Sequence, residues 1–400
     1  MTAQGITRRH YQPEPVGATK LNEVEAAPFR LEPGMVVVGI LGFLTVMGVA
    51  AGLARLLIGL GGTTALSDST SWGIWIGFDF ALIAFSGAAF TMAAVVHIFH
   101  LHQFQPVLRP ALLAGFLGYT AVLVLLLLDL GRPDRFYNFL LYWNLHSPLF
   151  EICCCVLLYT TVLVLEVAPD FLEKFGWTKV RRFVLWLMAP VTVLGVTLST
   201  LHQSTLGTLY LNMPHRVSAL WWTPMLPILF FTSAVMAGLA MAIVAYRTAV
   251  RIHQSPEETK VIQGLMVGIG GVTLVYLAVR VGALINNGEL FNLDWSAMRT
   301  WLATIEIVLG ALVPATICLV PAWRRRPTLQ WVAPLLILAG VLMNRFNATL
   351  ASQTAPVAGS AYIPSMMEWM STIGILAMAA LAWYICVRWL VRFDGSHEAH

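Results

Sequence analysis

The chain has 400 residues, 58% of them apolar and 11% charged, whereas an ordinary soluble domain carries about 25% charged residues. That balance excludes a soluble globular protein, and 31 Gly, 20 Pro and 5 Cys exclude collagen-like, disordered and disulfide-scaffold classes. A net charge of +4 is too small for a nucleic-acid footprint.

Residues 1–34 are polar and rich in Pro, Glu and Arg, and read as an extra-membrane tail. The first apolar run begins too late, and is too long, for a cleaved secretory signal. A spanning helix takes about 20 mainly apolar residues. Ten such segments follow, at 35–60, 74–99, 107–130, 148–168, 183–205, 222–249, 261–285, 301–322, 329–350 and 365–390, and residues 391–400 form a second tail. Strand alternation is absent, which speaks against a β-barrel. The expected fold is an all-α polytopic membrane domain over 35–390.

Basic residues orient such a chain. With the N-terminus in the cytoplasm, seventeen fall in inner segments: Arg8, Arg9, Lys20, Arg30, Arg109, Lys174, Lys179, Arg181, Arg182, Arg247, Arg251, Lys260, Arg324, Arg325, Arg326, Arg388 and Arg392. Four fall in outer loops: Arg132, Arg135, Arg216 and Arg299. Both termini are therefore expected in the cytoplasm.

Charge at membrane depth costs about 2.5–3.5 kcal/mol per residue on insertion scales and by default marks function. Arg55, Asp79, Asp129, Glu151, His202, Arg280, Glu306, Arg345 and Glu368 all fall near outer helix ends. Glu166 is in the inner half, where it reads as a helix-end residue beside Pro169; proton entry from the cytoplasm is the other reading. Short carboxylates snorkel poorly, so the layer points to a polar cavity opening outward. Glu151, Glu306 and Glu368 are its candidate proton relays. Asp79, Arg55, Asp129, Arg280 and Arg345 are candidates for lining that cavity.

The densest polar run within a helix is Ser199-Thr200-Leu201-His202-Gln203-Ser204-Thr205. Histidine suits a quinone carbonyl, because its neutral ring donates a hydrogen bond and its cation delivers a proton. Gln203 and Ser204 add neutral donors. Helix packing is the competing account of His202. Haem ligation finds no matching histidine pair at one depth, and Cys-x-x-Cys-His is absent. Cys153, Cys154 and Cys155 are consecutive in a helix and Cys318 and Cys386 are isolated, so all five read as packing residues. The expectation is a chain without haem or metal, working with a mobile cofactor and a partner that holds the metal.

Five runs carry a resemblance: Trp72-Gly73-Ile74-Trp75-Ile76-Gly77-Phe78-Asp79, Asp129-Leu130-Gly131-Arg132, His146-Ser147-Pro148-Leu149-Phe150-Glu151, Leu201-His202-Gln203-Ser204-Thr205-Leu206-Gly207 and Tyr362-Ile363-Pro364-Ser365-Met366-Met367-Glu368. Over about residues 35–390 the chain resembles the NrfD/PsrC superfamily. It is most similar to the HybB branch of hydrogenase membrane subunits, and DsrP-type subunits are similar too. The resemblance implies two four-helix bundles plus flanking helices. It also implies a haem-free, quinone-reactive subunit in the bacterial inner membrane. The implied partners are a periplasmic ferredoxin-type iron–sulfur subunit and a catalytic subunit, such as a nickel–iron hydrogenase. Menaquinone or another quinone, and the membrane lipid itself, complete the expectation. A secondary transporter or ion-conducting protein and a passive membrane anchor are the rival readings.

Overall fold

The computed structural model describes residues 33–390 apart from 69, 71, 215–216 and 352–361. The expected tails, 1–34 and 391–400, lie outside the described residues, except that residues 33 and 34 open the first helix. Among the described residues ten helices are long and apolar enough to cross a membrane: α1 (Gly34–Ile58), α2 (Ile74–Ile98), α3 (His102–Asp129), α4 (Pro148–Lys174), α5 (Thr178–Leu211), α6 (Leu226–His253), α7 (Thr259–Asn286), α8 (Met298–Leu319), α9 (Leu329–Ala351) and α10 (Met366–Leu390). The chain is an all-α, multi-pass membrane protein. Its exterior carries Phe43, Val46, Leu57, Leu158 and Trp186, all well exposed, as a surface solvated by lipid requires. Helices close their own backbone hydrogen bonds, which is why they tolerate that solvent.

Helices α2–α5 form one bundle and α6–α9 a second, with α1 and α10 paired along the flank of α3. The bundles meet where α6 packs on α2, α3 and α5 and where α9 packs on α2. Glycine permits two of these approaches. A Cβ on Gly48 of α1 would sit 2.3 Å from the Cα of Gly374 of α10, and one on Gly238 of α6 would sit 2.6 Å from the backbone of Gly87 in α2. Small residues let helices in lipid approach closely, because packing is what holds them together there.

Connections after α1, α3, α5 and α7 share one face, here the loop face. Those after α2, α4, α6 and α8 share the opposite, basic face, which carries Lys174, Arg181, Arg251 and Arg324–Arg326. Three spans contain π-turns, at Ala94–Ile98 in α2, Val308–Leu312 in α8 and Asn347–Ala351 in α9. Such turns recur beside functional residues. The last two begin two residues after Glu306 and Arg345.

Candidate functional site

The intramembrane charges do not meet in one cavity. Their depth was legible in the sequence, but helices at one depth belong to different bundles. The layer separates into three groups.

The first group is inside the second bundle. Glu306 of α8 pairs with Arg280 of α7 at 3.7 Å. Its oxygens also accept from the Trp221 indole at 2.9 Å, Asn344 at 2.7 Å and Asn347 at 2.8 Å. Asn344 and Asn347 are three residues apart and so share a helix face. Arg345 donates to Asn344 and to Ser233, both at 2.7 Å, and its guanidinium is 3.8 Å from the Phe230 ring centre. These contacts join Glu306 to α7, to α9 and to the loop before α6. On the loop face, a pocket of about 310 Å³ is lined by Ser218, Leu220, Glu289, Asp294 and Arg299 among others, next in the chain to Trp221.

The second group caps helices at the loop face. Arg55 of α1 donates to the carbonyls of Leu128 at 2.7 Å and Leu130 at 2.5 Å, so a cation closes the C-terminus of α3. Asp129 is half-buried beside it. Ser365 and Glu368 form a capping box at the start of α10: the Glu368 amide donates to Ser365 Oγ at 3.2 Å, and the Ser365 amide to Glu368 Oε2 at 2.8 Å. Glu368 also accepts from the Ala65 amide at 2.9 Å and the Tyr362 hydroxyl at 2.5 Å. Burial and the Glu368 carboxylate raise the Tyr362 hydroxyl well above its ordinary pKa.

The third group is in the first bundle. Asp79 of α2 is fully buried, and neither carboxylate oxygen has a hydrogen-bond partner among the described residues. One turn further along α2, the Ile83 carbonyl accepts from Gln203 of α5 at 2.9 Å. His202 Nδ1 is 2.9 Å from the Leu198 carbonyl. A carbonyl only accepts, so Nδ1 carries the proton and Nε2 is the acceptor. The Tyr119 hydroxyl of α3 donates to that Nε2. Tyr159 of α4 closes the cluster, its ring centre 4.9 Å from Tyr119 and 5.7 Å from His202. Both ring nitrogens of His202 are thus engaged within the bundle.

Two expected residues are placed elsewhere. Glu151 is exposed at the start of α4 and accepts from Thr205 at 2.7 Å. The Ser204 hydroxyl bonds back to the carbonyls of Thr200 at 3.0 Å and Leu201 at 2.7 Å, its own helix. Tyr119, Tyr159, Trp221, Asn344 and Asn347 were not anticipated. Tyr119 had one faint signal, a hydroxyl beside Thr120 in an otherwise apolar run of α3.

Fold and site together define a polytopic helical membrane protein of two four-helix bundles with ionisable groups buried in both. Residues 62–358 match the polysulphide reductase, NrfD family, and the chain belongs to it. A protein of Nitratidesulfovibrio vulgaris strain Hildenborough is 34% identical over 84% of this chain and 88% of its own. The probable Ni/Fe-hydrogenase 2 b-type cytochrome subunit of Escherichia coli K12 is 29% identical over 84% of this chain and 87% of its own. The menaquinone reductase integral membrane subunit of the same Nitratidesulfovibrio strain is 30% identical over 88% of this chain and 90% of its own. The five motif runs open α2, end α3, open α4, lie in α5 and open α10, so the family resemblance gathers in the half of the membrane nearer the loop face.

Proposed function

We propose that the chain is a haem-free, quinone-reactive subunit of a multi-subunit oxidoreductase. It exchanges electrons between a periplasmic iron–sulfur subunit, itself bound to a catalytic subunit, and menaquinone or another quinone. On this reading the protein lies in the bacterial inner membrane with the basic face and both termini in the cytoplasm. The relatives named above include a menaquinone reductase integral membrane subunit and a probable Ni/Fe-hydrogenase 2 b-type cytochrome subunit, which supports a membrane subunit of a quinone-linked oxidoreductase.

The observation that carries the site is Asp79. A buried carboxylate without a hydrogen-bond donor costs too much to stand unless it takes up a proton or meets a ligand. It belongs to the same bundle as the Tyr119–His202 pair, a neutral acceptor already holding a hydroxyl proton. Quinone chemistry needs such groups, because each carbonyl oxygen gains a proton as the ring gains electrons. Asp79, Tyr119 and His202 are the proton-handling groups of this reading, with Gln203 fixing α5 to α2. Glu306, Glu368, Arg55, Arg280 and Arg345 hold the helices around them.

Asp79→Asn in the assembled complex is the test. Electron transfer to a naphthoquinone analogue is expected to fall by about 10²-fold or more, the scale of a lost general acid or base. Complex yield should be unchanged. Parental quinone turnover in the variant would remove Asp79 from the site. Electron transfer insensitive to any quinone analogue in the parent would favour a passive anchor.

A further inference from the structure

Polar groups in the first bundle continue past His202 toward the basic face. On α5, Thr192, Gly195, Ser199 and His202 are spaced by three, four and three residues, which places them along one helix face. All four are buried. On α4, Tyr159 and Glu166 are seven residues apart and both are buried against that stripe. Glu166 is close to the Thr192 hydroxyl and acts electrostatically on Tyr159. Gly195 is what lets them share a gap. A Cβ there would be 2.8 Å from Val162, 3.5 Å from the Tyr159 ring and 3.9 Å from Glu166 Oε1. Ser199 lies near both Tyr159 and Tyr119, and neither the Ser199 nor the Tyr159 hydroxyl has a hydrogen-bond partner among the described residues. One turn beyond Glu166, Asp170 pairs at 3.5 Å with Arg109, whose side chain is half-exposed at the basic face.

The groups thus run in order: Asp170 at the basic face, Glu166, Tyr159 with Ser199, Tyr119 with His202. In the charge layer Glu166 looked like a helix-end residue beside Pro169. In the structure α4 continues to Lys174, and Glu166 is buried two turns inside it, with no ion pair among the described residues. A carboxylate at membrane depth with so little to hold it is a proton-transfer group by default.

We propose that protons of the quinone reaction exchange with water at the basic face through Glu166, along this line of side chains. The inference rests on the quinone reading above. The balance is simple. A quinone taking two electrons from the iron–sulfur partner takes two protons, one on each carbonyl oxygen. A quinol oxidised in reverse returns two electrons and two protons. Electrons enter or leave at the loop face and protons at the basic face, so turnover separates charge across the membrane. The competing path is through Asp129 and Glu368 to the loop face. There the capping box and Tyr362 hold Glu368 in place, and Arg55 is engaged by the Leu128 and Leu130 carbonyls.

Membrane vesicles of the whole complex test this. Tryptic cleavage in the Arg324–Arg326 loop identifies vesicles with the basic face outward. Dithionite-reduced methyl viologen serves as donor, 2,3-dimethyl-1,4-naphthoquinone as acceptor and an external dye reports pH. Quinone reduction should make the outer medium alkaline when the basic face is outward, and should not do so in vesicles of opposite sidedness until an uncoupler is added. Glu166→Gln keeps the shape and the Thr192 contact but not the acid. It should lower quinone turnover by about tenfold or more with normal complex yield, and Glu166→Asp should restore most of it. Protons drawn from the loop face by the parent, or parental turnover in Glu166→Gln, would overturn the path while leaving quinone reactivity intact. No quinone reduction by the parent would end both readings.

Discussion

Arg280 and Glu306 face each other at 3.7 Å in the second bundle, each almost fully buried. Glu306 also gathers the Trp221 indole and the amides of Asn344 and Asn347. Removing one member of a buried pair leaves the other charge uncompensated, at a cost of about 3–5 kcal/mol. Glu306→Ala should therefore lower the thermal midpoint and the yield of the solubilised complex markedly. Glu306→Gln should do so less, because an amide oxygen still accepts from Trp221 and Asn347. If the Gln variant kept full stability but lost quinone turnover, Glu306 would be a proton carrier and not a tie.

Arg55 closes α3 with two hydrogen bonds to its last carbonyls. A hydrogen bond to a charged group contributes about 1.5–3 kcal/mol, and the helix dipole adds to it. Arg55→Ala should destabilise the fold by about 3–6 kcal/mol on those figures. Lysine has one ammonium in place of a fork and should recover only part of the loss. Thermal unfolding in detergent, followed by helical circular dichroism, reads both. A quinone-binding arginine would instead alter the acceptor's apparent affinity and leave the melting curve in place.

The spans were legible because lipid asks for long uninterrupted apolar runs, and ten of them are visible in the chain. Their ends were not. Helix α5 runs Thr178–Leu211 where apolarity alone suggested 183–205, because its first turns are basic and water-facing. Ionisable residues were legible for the same energetic reason that makes them rare in membranes. Their partners were not, since pairing depends on helix rotation: Arg55 binds a carbonyl 73 residues away. Equal depth suggested one cavity, yet Arg280 and His202 are in different bundles. Tyr119, Tyr159, Asn344 and Trp221 carry no charge and left almost no mark on composition or hydropathy.

Orientation is open to a direct check. Seventeen basic residues fall on the side assigned to the cytoplasm and four on the other, an asymmetry that sets topology. A reporter active only in the periplasm, fused after His400, should be silent. One active only in the cytoplasm should work. The reverse pattern would exchange the faces and move proton uptake to the periplasm.

The Tyr119–His202 pair gives the sharpest test of the first bundle. The Leu198 carbonyl fixes the proton on Nδ1, so Nε2 has to accept, and what it accepts is the Tyr119 hydroxyl. His202 therefore reaches any substrate through Tyr119 and not in place of it. Tyr119→Phe keeps the ring packed against Tyr159 and removes only the hydroxyl. It should lower quinone turnover by about tenfold to a hundredfold, while His202→Ala, which loses the acceptor itself, should lower it by about 10²–10⁴. Because the two groups act as one unit, the double variant should be no slower than His202→Ala alone. Complex yield should hold in Tyr119→Phe, since the ring stays in place. A helix-bridging role makes the opposite pattern: yield falls with His202→Ala, and the complex that does assemble turns over quinone at the parental rate. That outcome would leave Asp79 as the first bundle's only proton-handling group near the quinone.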